Sequence, residues 1–298
     1  QVNMRSIIHG ELSNMLPPIF SQKASGQVAG KFKNSFYIKL PGKGRGGRDI
    51  LIHAGPSSRP LCAFGLSVDD GELKEIRDGI QPGDLAYVRP GRLTIYGQEE
   101  QFSLDWEKGG FSIKDLSIPV FLRAEAAGSA GGILGLLEKR YERGRLQEKM
   151  GIPWDEGFFH YAGILRDGED TESLCKAADF FCGRGLGLTP SGDDLLLGYI
   201  CVLKAAGQPE GEVLASYLAE LAAGKTTEVS LAYCQAAEAG FVNEDFKEFL
   251  FCAFDRGRIE AGEAVRQLES LGHTSGHDTL FGAFLALKRL ERVERIKK

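Results

Sequence analysis

The sequence has no long apolar run. A membrane-spanning helix needs about 20 mostly apolar residues. The longest candidate, Leu195 to Leu203, is far shorter and is interrupted by Gly198. Gln1 to Gly10 lacks the basic and then apolar pattern of a signal peptide. The chain opens on Gln1 instead of Met, which leaves room for residues upstream. No membrane partner is expected.

There is no excess of positive charge either. Lys and Arg number 36 against 41 Asp and Glu, a net charge of −5. A nucleic-acid partner is excluded on that ground, since phosphate recognition needs clustered cations that release counterions. The one basic run, Lys288 to Lys298, reads as the solvated end of a last helix, where cations suit the helix dipole.

Paired cysteine motifs are missing too. Six cysteines lie at 62, 175, 182, 201, 234 and 252, and none forms a C-x-x-C pair. That excludes the usual zinc knuckle and argues against a disulfide framework. Buried thiols in a reducing compartment, the cytoplasm, are the expectation.

Several catalytic signatures are absent. Gly224-Lys225-Thr226 ends like a P-loop, but Ala219 stands where the upstream glycine belongs and a helix precedes it. Gly183-x-Gly185-x-Gly187 follows a helix and lacks the last spacing of a dinucleotide fingerprint. His273 and His277 are four apart, but without H-E-x-x-H a metal pair is a minority reading. No nucleophile elbow and no Ser-His-Asp set is recognisable. His53 reads as a satisfied turn histidine at the end of a strand.

Ordinary globular composition is present, with 43% hydrophobic and 26% charged residues, so a packed core is expected. Residues 1–125 carry short β-rich runs: Phe36–Leu40, Ile50–Ile52, Leu61–Leu66, Leu85–Val88, Leu93–Tyr96 and Phe102–Trp106. Pro and Gly turns separate them, and one helix is expected over 70–79. Residues 126–298 switch to helical periodicity. Leu134, Leu137, Tyr141 and Leu146 share one helix face, as do Leu174, Cys175, Ala178, Phe181 and Cys182. Leu280, Ala283, Phe284, Leu287 and Leu290 form an amphipathic stripe. Further helices are expected near 192–206, 211–223, 226–239, 244–254 and 258–271, the first apolar on every face and therefore central. The fold class is α+β: a β-rich barrel or sandwich domain, 1–125, then a mainly α-helical domain, 126–298.

The densest chemistry is Gly183-Arg-Gly-Leu-Gly-Leu-Thr-Pro-Ser-Gly-Asp-Asp194. Alternating glycines allow unusual backbone conformations and close ligand approach. Ser191 with Asp194 resembles a capping box, and the helix start behind it would offer unpaired N–H groups to an anion. His273-Thr-Ser-Gly-His-Asp278 begins a second, matching element. Both read Ser-Gly-x-Asp-x-Leu-x-Gly, aligning Ser191 with Ser275, Asp194 with Asp278 and Gly198 with Gly282. Two helix starts facing one another across a pocket are the inference. Each motif alone is also an ordinary helix cap. Asp193 exceeds what capping needs, and beside a Gly-rich turn it could bind Mg²⁺ or act as a base. Lys225, Thr226 and Thr227, followed by Ser230, could line a pocket, but an ordinary helix cap at Thr226 or Thr227 is the stronger reading.

The C-terminal half resembles a bacterial family that includes the AllH-type subunit of oxamate carbamoyltransferase from anaerobic allantoin breakdown, a branch of purine catabolism. The likeness rests on Gly187-Leu-Thr-Pro-Ser-Gly-Asp-Asp194, on Thr227 with Ser230 ahead of Ala237 and Gly240, and on Gly272-His-Thr-Ser-Gly-His-Asp278. It implies carbamoyl transfer between carbamoyl phosphate and oxamate, with other enzyme subunits as partners. On that reading the anions sit at Gly187, Thr189, Ser191, Gly192, Thr227, Ser230, His273, Thr274, Ser275 and Gly276. Asp193, Asp194 and Asp278 are the catalytic candidates, and Asp193 the candidate Mg²⁺ ligand, because a carboxylate beside a phosphate needs a cation between them. His277 falls where the resemblance supplies no histidine. Two other classes compete: a non-catalytic scaffold or regulatory subunit, and a nucleotide-binding phosphotransferase.

Overall fold

The computed structural model describes residues 3–42, 47–121, 125–142, 149–254 and 259–297. The chain divides into two compact units, Gln1–Ser117 and Ile118–Lys298, each with its own hydrophobic core.

The first unit is one curled sheet of ten strands, a half-barrel. Its strands are β1 (Asn3–Ile7), β2 (Gly10–Ser13), β3 (Ala24–Lys31), β4 (Phe36–Leu40), β5 (Ile50–Pro56), β6 (Gly65–Val68), β7 (Leu85–Arg89), β8 (Arg92–Tyr96), β9 (Glu100–Asp105) and β10 (Phe111–Lys114). Helices α1 (Leu16–Phe20) and α2 (Asp70–Gly79) accompany it. The strand order is β1-β9-β8-β7-β3-β4-β5-β6-β2-β10. Only Ile8 and His9 separate β1 from β2, yet these lie at opposite ends of that order. β1 runs parallel to β9, and β2 parallel to β10. The two parallel pairs are thus one ribbon bent in the middle, and the sheet curls to bring its ends to that bend. Gly110 sits there because a Cβ on it would fall 1.7 Å from the Ile8 carbonyl oxygen.

The helix expected over 70–79 forms as α2. The Asp69 carboxylate accepts from the Gly71 and Glu72 N–H groups, and Leu73 and Ile76 turn into the core. The run Leu61–Leu66 is not one strand: residues 61–64 are buried in a turn closed by Gly65 N–H to Cys62 O, and β6 begins only at Gly65. His53 lies inside β5 against Tyr37, not at a strand end. Its Nδ1 has no hydrogen-bond partner, and burial lowers its pKa to about 4.

The second unit is helical: α3 (Glu125–Glu142), α4 (Glu156–Asp167), α5 (Thr171–Phe181), α6 (Ser191–Ala205), α7 (Pro209–Ala222), α8 (Glu228–Glu238), α9 (Glu244–Phe254), α10 (Ala261–Glu269) and α11 (Ser275–Lys297). Leu146, expected on the face of α3, lies outside the described residues. α6 is the central helix expected from its apolar run: all of its residues but Leu197 are buried. No helix among the described residues is long and apolar enough to cross a membrane.

Candidate functional site at two crossed helix starts

α6 and α11 are packed backbone to backbone, and the matching glycines are the reason. A Cβ on Gly198 would lie 2.1 Å from Thr279 O, and one on Gly282 only 1.8 Å from Leu195 O. Thr279 stands in the α11 motif where Leu195 stands in α6. The contact is therefore reciprocal, and the two motifs are related by a local two-fold axis. The first glycine of each motif does the same job against the helix before it. Gly192 abuts Phe181 O and Gly276 abuts Leu268 O, each closer than 2 Å to where a Cβ would be.

This symmetry decides where the serines and carboxyls point. Within each helix the expected capping box is off by one residue. Pro190 occupies the cap position of α6, makes no side-chain cap, and its carbonyl receives the Asp193 and Asp194 N–H groups. The pairing is instead exchanged between helices. The Ser275 and Thr189 hydroxyls face the Asp194 carboxyl and work against the rise in its pKa, and they hydrogen-bond one another at 3.0 Å. Ser191 and Thr274 face Asp278, whose Oδ1 also accepts the Gly151 N–H at 3.3 Å. Ser191 Oγ acts on Asp278 only at long reach, since it has no partner in good hydrogen-bond geometry.

Three polar atoms at this crossing are buried and unpartnered: Ser191 Oγ, Asp194 Oδ2 and Asp278 Oδ2. Ser191 and Asp278 are fully buried and Asp194 is 6% exposed. Burial raises the Asp194 pKa well above the usual carboxylate range, with the Asp278 charge adding to the effect and Ser275 opposing it. Asp278 is pushed up to about 7, again by burial, against the pull of Ser191, Thr274 and the Gly151 N–H. A carboxyl raised to about 7 beside a second one raised by burial has the character that general acid–base chemistry uses.

Asp193 has different partners. Its carboxylate accepts from Gly183 N–H at 2.6 Å, from Ser230 Oγ at 2.6 Å and from the Thr226 hydroxyl. Thr227 caps α8, accepting from Ser230 N–H while donating to the Leu188 carbonyl. Thr227, Ser230 and Asp193 thus fasten the glycine loop to the start of α8. Gly183, Gly185 and Gly187 all hold positive φ in that loop, the conformation glycine alone adopts freely. Gly187 and His273 are exposed. Among the described residues no group of three His, Cys, Asp or Glu side chains is placed to hold a metal ion.

The amides expected to greet an anion are largely occupied. Gly192 N–H bonds to Arg184 O, and Gly276 N–H to Leu271 O. Asp278 N–H bonds to Thr274 O. The polar valences left open at this place belong to side chains.

One participant has no sequence signal. Gly151 lies over both hydroxyls: a Cβ there would sit 2.2 Å from Ser191 Oγ and 2.9 Å from Thr274 Oγ1. Only the folded chain brings it to the motifs. His277 was expected to stand apart from the chemistry; its Nδ1 is 3.9 Å from Glu269, and burial lowers its pKa.

The fold and site define a class: a helical domain in which two copies of one helix start exchange serine and aspartate partners around buried carboxyls. Residues 181–287, which hold both copies, match the family model described as oxamate carbamoyltransferase subunit AllH. The likeness carried by the two motifs is therefore present over that span. No solved structure matches the chain.

Proposed function

We propose that the chain is the acid–base subunit of a carbamoyltransferase of the oxamate type, working with other subunits in the cytoplasm. The observation that carries this reading is the exchanged Ser–Asp pairing, which leaves an open oxygen on each of two buried carboxyls inside the family-matched span. In the reaction, the amide nitrogen of oxamate attacks the carbamoyl carbon of carbamoyl phosphate. Phosphate leaves with the electron pair of the broken C–O bond. The proton lost by nitrogen passes to the Asp278 carboxylate and on to the departing phosphate. With a pKa of about 7, Asp278 is present in both forms at neutral pH, as such a relay needs. Asp194, whose burial disfavours the ionised form, serves as a hydrogen-bond donor where an ionised group would repel the substrate's charge. Asp193 serves by holding the glycine loop; a Mg²⁺ ion there would have to displace three hydrogen bonds. Six unpaired cysteines support the cytoplasm.

One observation favours the scaffold reading: the helix-start amides are spent on carbonyls, so a free anion has few backbone donors to meet. Asp278→Asn in the assembled enzyme separates the two. Loss of carbamoyl transfer by 100-fold or more, with assembly intact, supports the acid–base role. Full activity in that variant makes the chain a scaffold.

A further inference from the structure

The first unit carries a cleft that this function does not use. It has a volume of about 560 Å³, within the range of small-molecule sites. Four cations line it from three separate segments: Lys33 on the β3–β4 turn, Arg59 between β5 and β6, and Lys74 and Arg77 on α2. Lys33, Arg59 and Lys74 have no ion-pair partner among the described residues. Arg77 is held in place by the Lys33 carbonyl and by Asp78. The lone acidic lining residue, Asp70, is already engaged, its two oxygens taking the Ser58 N–H and Ser58 hydroxyl. Phe32 and Pro56 add apolar wall, and Leu73 is buried beneath. In a chain of net charge −5, three unpaired cations converging on one hollow are not a background property of the surface.

We infer that this cleft binds the phosphate of a small phosphate ester or anhydride. Each exposed cation contributes weakly and is screened by salt, so binding is micromolar to millimolar and fades as ionic strength rises. Arg59 and Lys74 carry the contact, with Lys33 beside them and Phe32 against the body of the ligand. The cleft is built wholly from residues of the first unit, and its occupant need not be the transferred group's donor.

The test is calorimetric titration of the full chain with ADP, inorganic phosphate and adenosine at low salt and at 0.5 M salt. ADP binding that weakens at least tenfold in Arg59→Ala/Lys74→Ala, and likewise in high salt, supports the site. So does inorganic phosphate behaving the same way, which would show that the free ion suffices. Lys176→Ala, in the helical unit, should leave binding unchanged. The inference is overturned if neither phosphate compound binds at 1 mM, if adenosine binds as well as ADP, or if the double variant binds normally.

Discussion

Asp194, one turn into α6, is faced by the hydroxyl of Ser275, the first residue of α11. The mirror relation places Asp278 opposite Ser191. Neither helix completes its own serine–aspartate set, so the chemistry depends on how closely the two helices approach.

That approach is set by glycine, and it can be measured. Gly198→Ala and Gly282→Ala should each destabilise the fold by about 2–4 kcal/mol, because a methyl group would meet backbone with no room to yield. The double variant should lose less than the sum, since one separation of the helices relieves both clashes. Gly163→Ala on α4, where nothing lies within 4 Å, should be neutral or stabilising by up to about 1 kcal/mol. Urea unfolding midpoints decide the matter, and equal effects at all three positions would refute the packing argument.

The pH dependence of Asp278 follows from its raised pKa. The folded chain keeps its proton up to pH about 7, while an unfolded aspartate loses it near 4 or so. The stabilisation is therefore complete below the lower value and is lost as pH rises through 7. Asp278→Asn should melt at or below the wild-type temperature at pH 4 and above it at pH 8.5. Thermal scans across that range test the sign; a constant difference would mean that Asp278 ionises normally.

His53 predicts the opposite slope for the first unit. Its folded pKa of about 4 lies below the unfolded value near 6.5 or so. Stability should fall as pH drops from 6.5 towards 4, because the unfolded chain takes up the proton first. His53→Gln should flatten that part of the profile in a melting experiment.

Asp193→Ala would strand three donors that now share one buried carboxylate. An unmet buried donor costs about 1–3 kcal/mol, so a loss of at least about 3 kcal/mol is expected, with faster proteolysis at Arg184. A Mg²⁺-dependent rise in wild-type melting temperature, absent from Asp193→Ala, would instead restore Asp193 as a metal ligand.

Leu186 is 90% exposed and Leu188 48% on the same glycine loop, an unusual expense of apolar surface beside the family-matched site. Leu186→Asp/Leu188→Asp should leave the melting temperature of the isolated chain within about 2 °C while weakening co-purification with partner subunits. Undiminished assembly would remove the loop from the interface.

Much of this was legible in the residues. The period of Leu280 to Leu290 and the all-round apolar α6 each rest on local physics, and each element stands where that physics puts it. The duplicated Ser-Gly-x-Asp-x-Leu-x-Gly also foretold the helices that begin at Ser191 and Ser275. Strand β3 was illegible because its burial alternates but its inner face carries Ala24, Gly26, Val28 and Gly30, of which only Val28 favours a strand. β1 and β10 are the edge strands, with polar or mixed faces, and in α4 the exposed Phe159 blurs the stripe of Phe158, Ala162 and Leu165. The exchange of partners was beyond reach for another reason: a capping box reads the same whether its serine serves its own helix or a neighbour's. Gly151 has no local signature at all.

The crossing of α6 and α11 also has a bearing on how the chain comes into being. The second helix start follows the first by about eighty residues, which at typical synthesis rates is roughly 4–16 s. During that interval α6, apolar on every side, has been made while the helix that covers it has not. A ribosome paused between the two would display a sticky, half-built domain, and chaperone capture should peak on nascent chains of that length.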